Sequence, residues 1–226
     1  MTSPAPRPDD ERPLDPADTL RVIQEAQRRA RAGSEPDARL LYATWGAAWL
    51  GGYLTLWAGT PTGGDLPAGW AFAVFTVAMA TAVVVTVVHS VRRTAGTRGV
   101  SARVGTLYGW SWFLGFLAQF LIVAGLARAG APPEAVALAA NAIACLIVGL
   151  LYLAGAMLFD DRPLVLLGGW ILLVAAAATM IGVPGTYLLM ALAGGGGFLV
   201  MGAVEHARAV RARRAGQVPD PRTSRA

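Results

Sequence analysis

AVALAANAIACLIVGLLYLAGAML, residues 135–158, runs from Ala135 to Leu158 without a charged side chain and with a single amide, Asn141. Pro132-Pro133-Glu134 precedes it and Asp160-Asp161-Arg162 follows it. A helix of that length reaches about 36 Å, enough to cross roughly 30 Å of hydrocarbon. Outward in both directions the pattern persists. Between Val104 and Val204 the only charged residues are Arg128, Glu134, Asp160, Asp161 and Arg162. Over all 226 residues the chain is 55% hydrophobic and 15% charged, with mean hydropathy +0.50. Soluble domains run about 45–50% apolar and about 25% charged. So few charges cannot cover a water-facing surface. The composition excludes an ordinary soluble enzyme, and also a disordered or nucleic-acid-binding chain, despite a pI near 10.1. It describes an integral membrane protein.

Six stretches are long and apolar enough to be spans: about 41–58, 69–91, 105–127, 135–158, 163–181 and 185–205. Backbone groups in lipid must bond within their own segment, so these are helices. Nothing alternates over the ten residues that a transmembrane β-strand needs. The expected fold is all-α, a polytopic six-helix bundle. Arginines fix its direction. Arg21, Arg28, Arg29, Arg31 and Arg39 precede the first span, and Arg92, Arg93, Arg98 and Arg103 lie between the second and third. Arg162 lies between the fourth and fifth, and Arg208, Arg211, Arg213 and Arg214 follow the sixth. The opposite loops, 59–68, 128–134 and 182–184, carry only Arg128. By the positive-inside rule both termini face the cytoplasm.

The chain divides into a cytoplasmic N-terminal tail (1–34), a transmembrane domain (35–207) and a basic tail expected to be disordered (208–226). Within the first tail, Asp15-Pro16-Ala17-Asp18 reads as a helix start and Gly33 as a stop. Leu20, Ile23, Ala26 and Ala30 share one side, which predicts an amphipathic helix over about 16–32 at the inner membrane surface. No secretion signal of basic-then-apolar type opens the chain. Its one cysteine, Cys145, has no intrachain partner for a disulfide. All nineteen basic residues are arginine; with the abundance of Ala, Gly, Pro and Val this points to a GC-rich bacterial genome and a bacterial cytoplasmic membrane.

Polar groups inside the spans are the candidates for a substrate pathway. No carboxylate or cationic side chain lies within them short of their ends, which argues against a proton-driven antiporter. Gln119 and Asn141 lie at similar depth on hairpin neighbours, about 10–13 Å from the turn between them. Ser111, Gly115 and Gln119 share a face of the third span, as do Asn141, Cys145 and Gly149 of the fourth. These faces are expected to meet, the amides bonding or sharing a water, either as helix-to-helix glue or as the wall of a polar site. Gly194-Gly195-Gly196-Gly197 in the sixth span admits close packing against Ala175–Ala178 of the fifth, or an opened helix at a midplane site.

Other features have plainer readings. Tyr42, Trp45, Trp49, Tyr53 and Trp57 form a stripe about 120° wide on the first span. Thr44, Ala47, Ala48, Gly51 and Thr55 lie opposite, so the simplest arrangement turns the small face to other helices and the rings to lipid. A cavity lined by those rings is the alternative. His89 and His206 share a depth beside cytoplasmic arginines. They read as interfacial side chains reaching for water, with paired haem or metal ligation the remoter reading. Gly109-Trp110-Ser111 lacks a base and an oxyanion site, and without lysine there is no phosphate loop. No enzyme activity, cofactor or metal is expected.

The stretches Leu41-Tyr42-Ala43-Thr44-Trp45-Gly46 and Gly182-Val183-Pro184-Gly185, continuing to the Gly194–Gly197 run, carry a resemblance. Over most of the membrane region the chain resembles uncharacterised six-span bacterial membrane proteins, described as permease-like components of ABC transporters. That resemblance implies a membrane subunit moving a small or apolar compound with energy from a separate cytosolic ATPase. It implies that residues 92–103, with Arg92, Arg93, Arg98 and Arg103, dock that ATPase. The competing expectation is a non-transporting assembly, sensory or regulatory protein whose basic ends meet anionic lipid or a cytosolic protein. A second copy of the chain is a further candidate partner in either case.

Overall fold

The computed structural model describes residues 18, 20–22, 37–61, 66–94 and 100–216. Among them the regular structure is helical throughout, with no strand. The helices are α1 (Ala38–Ala58), α2 (Gly69–Thr94), α3 (Val100–Arg128), α4 (Pro133–Phe159) and α5 (Arg162–Ile181). A sixth helical rod follows: α6 (Gly185–Leu189), a π-helical segment (Met190–Gly195) and α7 (Gly196–Gly216). Of the amphipathic helix expected over 16–32, only Asp18, Leu20, Arg21 and Val22 are described, all helical, and the rest lies outside the described residues, as does Arg98.

Local chemistry accounts for the boundaries. The Asp37 carboxylate accepts from the Arg39 backbone N–H and caps α1. Pro133 opens α4 at a position whose N–H has no helical partner, and Glu134 sits in its first turn, favourable to the helix dipole. Asp160 ends α4 in the left-handed region (φ 54°), its N–H bonded to the Ala156 carbonyl. The turn before the sixth rod needs Gly182 at φ 77°, and the Thr186 N–H then closes on the Gly182 carbonyl at 2.7 Å.

Five helices are long and apolar enough to cross a membrane: Gly69–Arg93, Arg103–Arg128, Pro133–Phe159, Arg162–Ile181 and Gly185–Arg211. The first predicted span is not among them. Its helix forms, but three tryptophans, two tyrosines and three glycines between Tyr42 and Trp57 make it the least hydrocarbon-like of the six. The other end also differs. Residues 208–216, expected in a disordered tail, continue α7, where the alternation of Ala and Arg favours helix and Arg208 pairs with Glu205 at 2.7 Å.

Neighbour relations put α1 inside and α3 outside. α1 packs against α2 on one side and the whole sixth rod on the other; the rod leans on α5, α5 on α4, and α4 on α3. The largest fully buried side chains, Phe198, Leu167, Ile171 and Met190, belong to the rod and α5. Of the apolar stretch of the sixth rod 39% is buried, against 11% for α2 and none for α3.

Candidate functional site

The aromatic stripe of α1 points inward. Tyr42, Trp49 and Tyr53 belong to the core, Trp45 is half-buried and donates its indole N–H to Thr86 Oγ1 at 3.0 Å, and only Trp57 is exposed. The small residues Ala47 and Gly51 face outward instead. The expected orientation is therefore reversed, and the glycine run supplies the reason. A Cβ on Gly194 would lie 2.9 Å from Trp49 Cε3, and one on Gly195 would lie 2.6 Å from the Leu50 backbone nitrogen. The small face that receives α1 is on the sixth rod, and large rings of one helix fill the channel left by glycines of the other.

The glycine run is neither a straight helix nor a partner of Ala175–Ala178 alone. Gly194 and Gly195 contact α1, Gly197 faces Trp170 of α5, and Gly196 meets nothing within 4 Å. A π-helical turn over Met190–Gly195 replaces α-helical bonding there. The Trp170 indole N–H donates to the Ala193 carbonyl inside that turn at 2.8 Å, holding α5 to the rod.

The two amides part company. Gln119 Nε2 donates to the Ala140 carbonyl at 2.9 Å, and Gly115 faces Ile147, so that face of α3 does meet α4. Asn141 turns away from α3: its Oδ1 accepts from the Tyr53 hydroxyl of α1 at 2.6 Å. Gly149, on the same face as Asn141, abuts Leu172 and Gly168 of α5. The expected amide-to-amide bond is absent because Ala140 and Asn141 project about 100° apart around α4. Ser111 is exposed and bonds its own helix at the Leu107 carbonyl.

What forms instead is a buried polar link between α1 and α4. Tyr53 holds Asn141, and Cys145 lies one turn along α4 from Asn141. Cys145, Tyr187 and Tyr53 are all buried. Gln119 Oε1, Asn141 Nδ2, Thr186 Oγ1 and Tyr187 OH are buried and make no hydrogen bond within the protein. Sequence reasoning found Gln119 and Asn141 but missed Tyr53 as a donor, Thr186, Tyr187 and Trp170. Tyr53 was read as part of a ring stripe, and its depth opposite Asn141 was the available signal.

Edge-to-face rings run through Tyr53. Phe75, Tyr53, Trp49, Phe198, Tyr152, Trp112 and Tyr108 succeed one another at centroid distances of 5.0, 5.7, 5.2, 6.2, 5.7 and 6.1 Å. They cross from α2 through α1, the rod and α4 to α3 as a continuous aromatic wall that includes Tyr53.

The polar ends gather elsewhere. The Asp37 backbone N–H donates to His89 Nε2 at 2.9 Å, tying the start of α1 to the end of α2. His206 lines an open groove of about 370 Å³ with Asp37, Arg39, Leu40, Ala43, Leu199, Gly202 and Ala203. The Arg39 guanidinium, bonding both Asp37 carboxylate oxygens at 3.0 and 2.8 Å, holds that carboxyl below its ordinary 3.8. Arg92, Arg93 and Arg103 are exposed. Among the described residues no three His, Cys, Asp or Glu side chains converge on a metal site.

No family model, curated protein or solved structure matches this chain.

Proposed function

We propose that the chain crosses a bacterial cytoplasmic membrane six times, α1 included, with both termini inside. We infer further that it serves there as a membrane subunit acting through a partner protein rather than as a conduit. Five described helices long and apolar enough to cross a membrane support an integral membrane protein. The sixth crossing is supported by the place of α1, whose 21 residues extend about 32 Å between two apolar neighbours. Its direction is supported by the start of α1, near Arg39, lying beside the end of α2 and the His206 turn of α7, each close to arginines.

One observation carries the partner-protein reading: most of the residues expected to line a pathway are consumed by packing. Gly194 and Gly195 are filled by Trp49 and Leu50, Gly197 by Trp170, and Gln119 by the α4 backbone. A permease-like subunit driven by a separate ATPase remains the second reading, favoured by the π-helical turn, a form frequent at functional sites. Purification of the full chain from its native membranes separates the two. A stable complex without ATP hydrolysis supports the partner subunit. ATPase activity that travels with the chain and falls when Arg103→Ala is introduced overturns it in favour of the permease. A tag on either tail reached by protease outside intact cells would overturn the topology itself.

A further inference from the structure

We infer that the groove between the start of α1 and α7 binds one anionic phospholipid of the inner leaflet. Arg39 and His206 hold its phosphate, and an acyl chain lies along the apolar part of the groove. The site goes beyond the partner-subunit reading and rests only on the topology proposed with it, which sets the groove at the cytoplasmic face of the bilayer. The groove measures about 370 Å³ and is open on one side. Gly46 meets Leu199, whereas Gly202 meets Tyr42 and Ala43, so α1 and α7 run antiparallel along it. Asp37 and Arg39 therefore lie at the same end as His206, the end that carries the arginines. Leu40, Leu199 and Ala203 continue the lining away from that end. From His206 to Leu199 is seven residues, about 10 Å of helix. Over that distance the lining passes from charge to hydrocarbon, in the order of a headgroup and the chain beneath it.

The polar end offers donors and little else. Arg39 spends Nε and one Nη2 proton on Asp37, which leaves three of its five N–H groups. Its side chain is 36% exposed, so those groups can be reached from the groove. His206 is exposed and supplies a ring N–H. Both carboxylate oxygens of Asp37 are already taken by Arg39, and Glu205 is paired with Arg208. Arg92, Arg93, Arg211 and Arg214 at the same ends have no acidic partner among the described residues, so the surrounding field is positive. Guanidinium and imidazole donors in a positive field suit a phosphate, and Arg in particular forms paired bonds with it. A cationic ligand would find no free acceptor.

The experiment uses the full chain, delipidated in a neutral detergent, with bound lipid counted by native mass spectrometry. Dioleoyl phosphatidylglycerol is titrated against dioleoylglycerol, which has the same chains and no phosphate. One phosphatidylglycerol should bind at concentrations where dioleoylglycerol does not. Arg39→Gln should weaken that binding about five-fold or more, and His206→Phe about three-fold. Arg211→Gln removes a charge from the same end of α7 but outside the groove, and should change binding less than two-fold. Equal binding of the two lipids would overturn the site. An Arg211→Gln loss as large as that of Arg39→Gln would overturn it as well, in favour of diffuse attraction to the basic ends.

Because Arg39→Gln also loosens the Asp37 cap, a second variant tests the groove apart from it. Ala203 is exposed on α7, so Ala203→Trp fills the apolar part of the groove and leaves Arg39 and His206 in place. Phosphatidylglycerol binding should be lost; unchanged binding would overturn the groove as the place of the lipid. Excess inorganic phosphate should displace little of the lipid, since the chain supplies part of the grip. Complete displacement would show a site for the free anion and overturn the lipid as its occupant. A detergent micelle has no sides, so these results do not depend on which way the chain crosses. The topology fails through tag accessibility and the partner-subunit reading through ATP hydrolysis, so each failure is distinguishable from this one.

Discussion

α1 and α3 are both rich in aromatic residues at helical spacing, yet the structure treats them oppositely. On α1, Tyr42, Trp49 and Tyr53 are almost fully buried, whereas on α3 Trp110, Phe113 and Phe120 are 56%, 57% and 68% exposed. Intrinsic character does not explain this, since α3 is the more apolar helix and α1 misses the criterion for a span. The partner explains it. The sixth rod presents Gly194 and Gly195 to α1, and a glycine surface accepts an indole at contact distance. α3 presents Tyr108 and Trp112 to α4 and leaves its other rings outside. In a bilayer, lipid is as apolar as a leucine core, so burial follows shape and hydrogen bonding more than hydropathy.

The largest expected effect tests that contrast directly. Trp49→Ala should cost about 3–5 kcal/mol, as for other large core aromatics, while Trp110→Ala should change stability by under about 0.5 kcal/mol. Thermal melts in one detergent read both; equal losses would break the comparison. Next in size is the glycine surface. Gly195→Val places side-chain carbon against the Leu50 backbone and should cost about 1–3 kcal/mol, whereas Gly196→Ala meets open space and should gain up to about 1 kcal/mol. Size-exclusion profiles and melts of the two variants distinguish a packing surface from a mere run of flexible residues.

A smaller loss is expected from Tyr53→Phe, which keeps the ring in the aromatic wall and deletes its bond to Asn141. About 0.6 kcal/mol is the usual worth of such a bond between membrane helices. Smallest is a pH effect at the α1 cap. Because the Arg39 bond lowers the Asp37 carboxyl in the folded chain, its contribution is complete above the ordinary 3.8 and lost as pH falls through the lower folded value. Melts between pH 6 and roughly pH 3 should converge for native chain and Asp37→Asn at the acid end. A gap that is constant across that range would detach the cap from the carboxylate.

The legible part of the fold was the part governed by one-dimensional chemistry. Unbroken apolar runs, with Pro132-Pro133 and Gly182-Val183-Pro184-Gly185 between them, placed the helices within a few residues. The α7 extension through Gly216 was missed because basic residues after a span read as solvated tail, although Ala-Arg repeats are good helix formers. Gln119 and Asn141 were legible as the notable amides, but their partners were not. Depth along a helix follows from counting residues, whereas direction around it depends on which helix stands alongside. The same limit reversed the α1 stripe: the rule that small faces pack was sound, and it applied to the sixth rod.

By itself the sequence determined that the described residues are helical and that several helices are apolar enough to cross a membrane, because charge-free runs of such length suit hydrocarbon and must pair their backbone within the segment. It also determined roughly where most helices begin and which ends carry the arginines. Only the tertiary structure decided that the aromatic face of α1 is buried, that Tyr53 rather than Gln119 takes Asn141, and that the glycine run begins in a π-helical turn and meets Trp49 and Trp170. Those outcomes depend on complementary surfaces carried by separate segments, 88 residues apart for Tyr53 and Asn141, and no local pattern records which surface will meet which.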